Sequence, residues 1–533
     1  MNRFSLVCLA SAAIFLVAGC GKGKFSSTSE EQKPNVLRYA LKTIPTDLDP
    51  ALVQDGDTID LLQNVFEGLT AWSEENKPVG NLATNWDISA DGRTYTFHLK
   101  KGVKFFNGRE VTADDVAFSL NRSANRNLGS QTAENYLNDI VGFRDVWDGK
   151  AKEMAGIKVI DPATISITID KARPYFLGKL TYPTGYVVAK EVVGDKKITD
   201  IKQMVGTGPF IPTEYQDGVM FKLKANKDYH NGAPLIDGIE RPIMKDNQTK
   251  YLAYKRGELD ILALERRDVA AVKEDPELTK QLKYYQRPSI YYVGMNLKMI
   301  PQFGDRRVRQ AIAMAIDKDK IVNDVLGGQN VRADTIIPPG VPGHRDKGAG
   351  FEFNVEKARQ LLAQAGYPGG KGFPAIKIAY RDGQADVQYV SENVAGQLHE
   401  NLGLNVGQEQ IEWGAYLDRN NKKQNPFFHM RWAADYLDPQ NFISLLLSTT
   451  GNENKIYYSN PQVDALCAKA DADMNEQERL GLYAQAEDLV LQDAPWVPIY
   501  FQRDAELISP RIKSGLRDSL FGHLPHYKLE LAK

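Results

Sequence analysis

The sequence predicts an α/β protein of more than one domain, and three observations carry the prediction. The chain has 533 residues, 42% of them hydrophobic and 25% charged. That is enough to bury more than one core and, by length, about three domains. Strand-like alternation and helix-like periodicity occur in mixed order along it. No repeat, heptad or long low-complexity tract breaks that order, which excludes solenoids, coiled coils and disordered scaffolds. The formal net charge is -2, and no basic stripe is interleaved with aromatics, so nucleic acid has no electrostatic footprint here.

The first residues read as a targeting segment. Arg3 gives a positive start, residues 6–17 an apolar stretch too short to span a bilayer, and Val17-Ala18-Gly19-Cys20 a small-residue cleavage site ending in cysteine. This resembles a bacterial lipobox. The resemblance implies a signal peptide over 1–19, cleavage before Cys20, acylation of Cys20, and a mature protein anchored to a membrane by lipid. Residues 20–34 then form the lipidated cysteine and a polar tether. Cys8 leaves with the signal, so Cys467 has no partner and no intramolecular disulfide is expected. Cys467 lies in VDALCAKA at helical spacing with Val463 and Ala470, as a buried small hydrophobe.

From Leu37 the elements follow in order. A strand and an irregular segment lead to a helix over 58–69 closed by Gly68. TYTFHL alternates, with Tyr95, Phe97 and Leu99 on one face and Thr96 and His98 on the other, which makes His98 an exposed strand residue. Thr112 to Asp115 form a capping box, and IKVIDPATISITI is a hairpin turning at Asp161-Pro162. Residues 247–264 read helix, glycine, strand. RRVRQAIAMAI is a helix burying Val308, Ala311, Ile312 and Ala315, with Arg306, Arg307 and Arg309 on its solvated face. Asn354 and Asn475 cap two further helices, and WVPIYFQRDAELI is a returning strand.

The most informative stretch runs from His429 to Leu447. Residues 427–434 read as a buried strand, and Asp438-Pro439 as a helix cap and first-turn proline. Asp435 lies between them, at a strand end beside Trp432 and Tyr436, and is not needed as the cap. A carboxylate so placed either pairs with a nearby arginine or holds a cation brought by a ligand.

Three stretches resemble one family. W-x-x-D-Y-x-x-P at 432–439 resembles the segment of oligopeptide-binding proteins whose aspartate holds the peptide α-ammonium. Residues 81–122 and 205–234 resemble, in the same order, signature blocks of the family-5 extracellular solute-binding proteins of ABC importers. The resemblance implies a three-lobed periplasmic-binding-protein type II-like fold of the large cluster C, with a two-strand hinge and an interlobe ligand cleft. Lobe I would comprise residues 35–67, 206–288 and 503–533, lobe II 68–205, and lobe III 289–502. Crossings near 288/289 and 502/503 would form the hinge. It implies capture of an oligopeptide or dipeptide and delivery to the permease subunits of an ABC importer, on the periplasmic or cell-surface side. No cofactor is implied, and a monomer is expected. Asp435 would hold the ammonium, with Tyr436 beside it. Arg431 to Ala433 would supply one pairing edge, and Gln54, Asp55 and Gly56 the other. Trp413, Trp432 and Tyr500 would line side-chain pockets.

This chain departs from the oligopeptide-binding pattern at several positions. Asn420 and His429 stand where arginines can take the ligand carboxylate, with Arg419 one position away, so that group is unassigned. Ser289 and Ala433 replace an inter-strand cysteine pair, and Ala133 replaces an aromatic of the second lobe. There is no H-E-x-x-H, G-x-S-x-G or C-x-x-C. Gly206-Thr207-Gly208 lacks a third glycine and reads as a turn. The expectation is therefore a binding protein and not an enzyme. Within the family a metal chelate or oligosaccharide is the alternative ligand, and outside it a surface chaperone or adhesin the alternative role.

Overall fold

Two strands longer than the rest, Leu282–Met295 and Trp496–Ile508, pair antiparallel through most of their length. The computed structural model containing them describes residues 35–532, so the expected signal, Cys20 and the tether lie outside the described residues. The two strands are central in a seven-stranded sheet. Its order is Ile261–Leu264, Trp496–Ile508, Leu282–Met295, Phe427–Ala433, Ile376–Arg381 and Val406–Ile411, with Val331–Arg332 added on Trp496–Ile508. Their register shifts between Gln286 and Ile290, where Pro288 has no N–H for the ladder. Arg287 clamps this irregularity. Its Nε donates to Asp504 Oδ2 at 2.6 Å and its Nη1 to Ser519 O at 2.9 Å.

Each face of this sheet carries its own core, because successive side chains alternate. Tyr291, Val293, Tyr380, Val497 and Tyr500 pack on one face, and Ile290, Tyr292, Phe428, Trp496 and Phe501 on the other.

A second sheet is built from Ala83–Ile88, Thr94–Leu99, Thr164–Thr168 and Ile157–Asp161, all antiparallel. Tyr95, Phe97 and Leu99 are buried against Ile165 and Ile167, as the alternation requires. His98 is 40% exposed and sits 2.9 Å from Asp87 Oδ2. A third sheet sets Val36–Arg38 parallel to Gly238–Pro242, followed by Met220–Ala225 and Phe210–Gln216.

The helix expected over 58–69 stops early, at Gly56–Leu62. The carbonyls it would need are taken elsewhere: Val65 O accepts from the Gly208 N–H at 2.9 Å and Asn64 O from the Phe210 N–H at 3.0 Å. This contact also explains the two glycines. A Cβ on Gly206 would lie 1.9 Å from Val65 O, and one on Gly208 2.5 Å from Asn64 O.

A second correction concerns Arg309, which is 5% exposed and not on a solvated face. Its Nε donates to Asp493 O at 2.8 Å, the last carbonyl of the helix Glu476–Asp493, and its Nη1 to Phe303 O at 2.7 Å in the turn Pro301–Gly304. Arg306 and Arg307 are exposed, as expected. Cys467 is 2% exposed in the core, where burial pushes its thiol up to about 12.

Candidate functional site

Asp435 follows the strand Phe427–Ala433 and precedes the short helix Pro439–Asn441. Asp438 caps that helix, accepting the Gln440 N–H at 2.9 Å, and is paired with Arg479 in the interior. The cap therefore leaves Asp435 free of that duty. Asn441 organises the turn: its Oδ1 accepts Trp432 Nε1 at 2.9 Å and the Asp435 N–H at 3.2 Å. Trp432 is thus held by its indole N–H, half-buried, beside the carboxylate.

Among the described residues no cationic side chain lies within ion-pair distance of Asp435. Burial raises its carboxyl to about 6, with Glu453 adding to the rise, while Asn441, the Tyr136 hydroxyl and the more distant charge of Lys179 act the other way.

Facing Asp435 is a wall of tyrosines from residues 133–182. Tyr136 stacks on Tyr182 with ring centroids 3.7 Å apart and planes 11° apart, and its hydroxyl bears on the Asp435 carboxylate, favouring the charged form. Thr132 and Thr184, 2.7 Å apart between hydroxyls, tie together the two segments that carry these rings. Tyr175 stacks on Tyr436 at 5.2 Å, and Tyr182 Oη reaches Val53 O at 3.4 Å. Ala133 is fully buried in a core. Tyr136, one helical turn on, is what comes to the aspartate.

The strand Phe427–Ala433 has one occupied edge and one largely open edge. Along the first it pairs with Leu282–Met295 from Ser289↔Ala433 to Met295↔Phe427. On the other side only Ala379↔Phe428 is paired, and His429 O accepts from Tyr416 Oη at 3.0 Å. The Ala434 N–H goes to Pro288 O at 2.8 Å, so by antiparallel alternation the N–H and C=O groups of Arg431 and Ala433 point to the open edge.

Two guanidiniums stand near that edge. Arg381 ends the strand Ile376–Arg381, two residues past its pairing with Phe428 and so level with Met430. Its Cζ lies 4.0 Å over the Trp413 ring, and its Nε donates to Asp382 O at 3.3 Å. Arg431 Nη1 donates to Gln502 Oε1 at 3.2 Å. Neither arginine has a carboxylate within 4 Å among the described residues.

The sequence-derived candidates thus divide. Asp435, Trp432, Tyr436, Arg431, Ala433 and Trp413 lie together at the ends of adjacent strands. Asp55 caps the helix Gly56–Leu62, accepting the Thr58 N–H at 2.9 Å. Gln54 and Gly56 on either side are exposed, with open space where a Gly56 Cβ would lie. The charges of Asp55 and Asp435 both bear on the Tyr182 hydroxyl, which places the two carboxylates around one ring.

His429, Tyr500 and Arg419 are not brought to this group. His429 is 1% exposed, its Nδ1 lies 3.1 Å from Ser391 Oγ, and burial lowers it to about 4. Tyr500 is 2% exposed and stacks on Tyr291 at 4.4 Å. Arg419 pairs with Glu409 at 2.9 Å. Tyr136, Tyr182, Asn441 and Arg381 were not legible as site residues from the sequence. The only available signal was the run Y-R-D-G ending a strand at Arg381.

Comparison with known proteins decides the family. Residues 77–454 match the model described as "Bacterial extracellular solute-binding proteins, family 5 Middle". The chain belongs to this family. It is 30% identical to the heme-binding protein A of Haemophilus influenzae, with 97% of each chain covered. It is 25% identical to the oligopeptide-binding protein OppA of Bacillus subtilis, covering 96% of each. Among solved structures, the unliganded open form of the periplasmic murein tripeptide binding protein MppA superposes with a TM-score of 0.80. The identity there is 25%, over 94% of this chain and 98% of that one. The fold is accordingly of the type II-like periplasmic-binding-protein kind, in a family of extracellular solute-binding transport proteins. Among the described residues no helix is long and apolar enough to cross a membrane.

Proposed function

We propose that this protein is an extracytoplasmic receptor that captures short peptides and delivers them to the permease of an ABC importer. The observation that carries the reading is Asp435: a crowded carboxylate without a cationic partner among the described residues, at one end of an open strand edge. Arg381, a guanidinium without an anionic partner among the described residues, stands at the other end. A peptide zwitterion has the complementary charges. Laid along the edge as an added strand, it places its ammonium on Asp435 and its carboxylate on Arg381, and so runs antiparallel to Phe427–Ala433.

The distance sets the ligand length. From the level of Arg381 to Asp435 is five residues, or about 16 Å of extended chain. A di- or tripeptide, together with the reach of the two side chains, spans it. Arg381 thereby fills the carboxylate role that His429, Asn420 and Arg419 leave open. Relatives named as a dipeptide-binding protein and a di/tripeptide-binding protein, each 28% identical, support a ligand of this size.

In this reading residues 35–67, 206–288 and 503–533 form one lobe, 68–205 a second carrying the tyrosine wall, and 289–502 a third carrying Asp435. The third rotates on the two long strands at 288/289 and 502/503. Cys20, lipidated, tethers the monomeric receptor to its membrane. Main-chain pairing and terminal charges do the binding, and no catalytic step is assigned.

Native mass spectrometry of the protein with its co-purified ligands tests the reading. Masses equal to di- and tripeptides, lost in Asp435→Ala, are expected. A single non-peptide mass retained by the variant overturns it.

A further inference from the structure

Arg431 occupies a position that a receptor indifferent to side chains does not need to charge. Its main chain belongs to the open edge, so any residue with a short side chain would serve there equally well. The side chain instead rises from the sheet face that carries its register partner Tyr291 and, one strand further, Tyr500. It is exposed, holds a single amide oxygen of Gln502 at 3.2 Å, and has no carboxylate within 4 Å among the described residues. Gln502 is itself held to Asp504, which Arg287 neutralises, so the nearest acid on this side is already paired. Arg381 lies close enough that the two guanidiniums repel each other. A like-charged pair without counter-ions is a cost the fold carries for something that arrives later.

The geometry of an added strand says where that charge points. Residues directly opposite each other in an antiparallel pair send their side chains to the same face. Ala433 and Arg431 are the two residues whose polar groups point to the open edge. A ligand anchored by its ammonium on Asp435 therefore sets its first residue across from Ala433 and its third across from Arg431. That third side chain lies alongside the guanidinium.

We propose that Arg431 makes this receptor selective for peptides whose third residue is acidic, the side-chain carboxylate taken by Arg431 and the terminal carboxylate by Arg381. The inference rests on the peptide reading above and adds to it a preference that main-chain capture alone does not give. One ammonium and two carboxylates on the ligand meet one carboxylate and two guanidiniums on the protein.

The test is calorimetric titration of the ligand-free, full-length mature protein with tripeptides that differ by glutamate or glutamine at one position. The pairs are Ala-Ala-Glu and Ala-Ala-Gln, then Ala-Glu-Ala and Ala-Gln-Ala. The expected result is about tenfold tighter binding of glutamate over glutamine at the third position and none at the second. Arg431→Gln abolishes the preference, and Arg431→Lys keeps part of it. Melting temperatures of both variants confirm that they fold. Equal affinities for Ala-Ala-Glu and Ala-Ala-Gln in the unmodified protein overturn the proposal while leaving peptide capture standing, as does a preference that survives in Arg431→Gln. Failure of all four peptides to bind removes the peptide reading and this inference with it.

Discussion

The Tyr136 hydroxyl bears on the Asp435 carboxylate and favours its charged form, and the Tyr136 ring lies 3.7 Å from Tyr182, so a stacked pair of phenols stands against an acid that has no cation within ion-pair distance among the described residues. The contact keeps a desolvated carboxylate partly satisfied.

Ligand binding is expected to follow the ionisation of Asp435. Burial holds its carboxyl at about 6, so the charged form needed by an ammonium dominates above that pH. Affinity for a peptide is expected to be flat above about pH 7 and to fall about tenfold per pH unit below 6. Tyr136→Phe removes a hydroxyl that favours the charged form and moves the midpoint upward. Calorimetric titrations between pH 5 and 8 check both outcomes.

The same acid weakens the ligand-free fold. Its folded pKa is raised above the unfolded value, so the ionised form is disfavoured by folding, and the penalty is present above pH 6 and relieved as pH falls toward 4. Discounted for partial exposure, it amounts to about 1–2 kcal/mol. Asp435→Asn is expected to melt higher than the unmodified protein at pH 7.5, to lose that advantage by pH 4.5, and to bind peptide poorly at both. Thermal denaturation at the two pH values measures this.

Ser289 and Ala433 face each other directly as a pair without mutual main-chain hydrogen bonds, since the neighbouring Ala434 N–H goes to Pro288 O. Such pairs hold their Cα atoms about 4.5 Å apart, within the range a disulfide spans. Ser289→Cys with Ala433→Cys is expected to close spontaneously on oxidation and to stabilise the protein by about 2–4 kcal/mol. Thiol titration of the unfolded chain and melting with and without reductant check it.

Asp49 and Arg122 form a pair that is 0% and 2% exposed. Asp49 also accepts the Ile198 N–H at 3.0 Å, and Arg122 Nε donates to Gly194 O at 3.0 Å. Arg122→Leu leaves a buried carboxylate uncompensated and is expected to cost about 3–5 kcal/mol, whereas a double change to apolar residues costs less. Urea unfolding of the single and double variants separates the two.

The strands were legible because alternation is local: Tyr95, Phe97 and Leu99 are buried as their spacing requires, and Trp496–Ile508 ends where its pattern ends. Asp435 was legible because Asp438-Pro439 made a better cap. What escaped the sequence depends on partners far along the chain. The helix Gly56–Leu62 ends early because Phe210 and Gly208 claim the Asn64 and Val65 carbonyls that a longer helix would use, and Arg309 is buried because carbonyls of Phe303 and Asp493 receive it. Tyr136 and Tyr182 become a wall only when two separate segments meet. Arg381 comes to the open edge of Arg431 and Ala433 only because its strand pairs with Phe427–Ala433 at Ala379 alone.

The most direct test of the central claim is calorimetric titration of the ligand-free protein at pH 7.5 with a tripeptide and with the same tripeptide acetylated on its amine. If Asp435 holds the ammonium, acetylation is expected to weaken binding by at least about a hundredfold, and in Asp435→Asn the two peptides bind equally weakly. Equal, tight binding of both peptides to the unmodified protein would contradict the account.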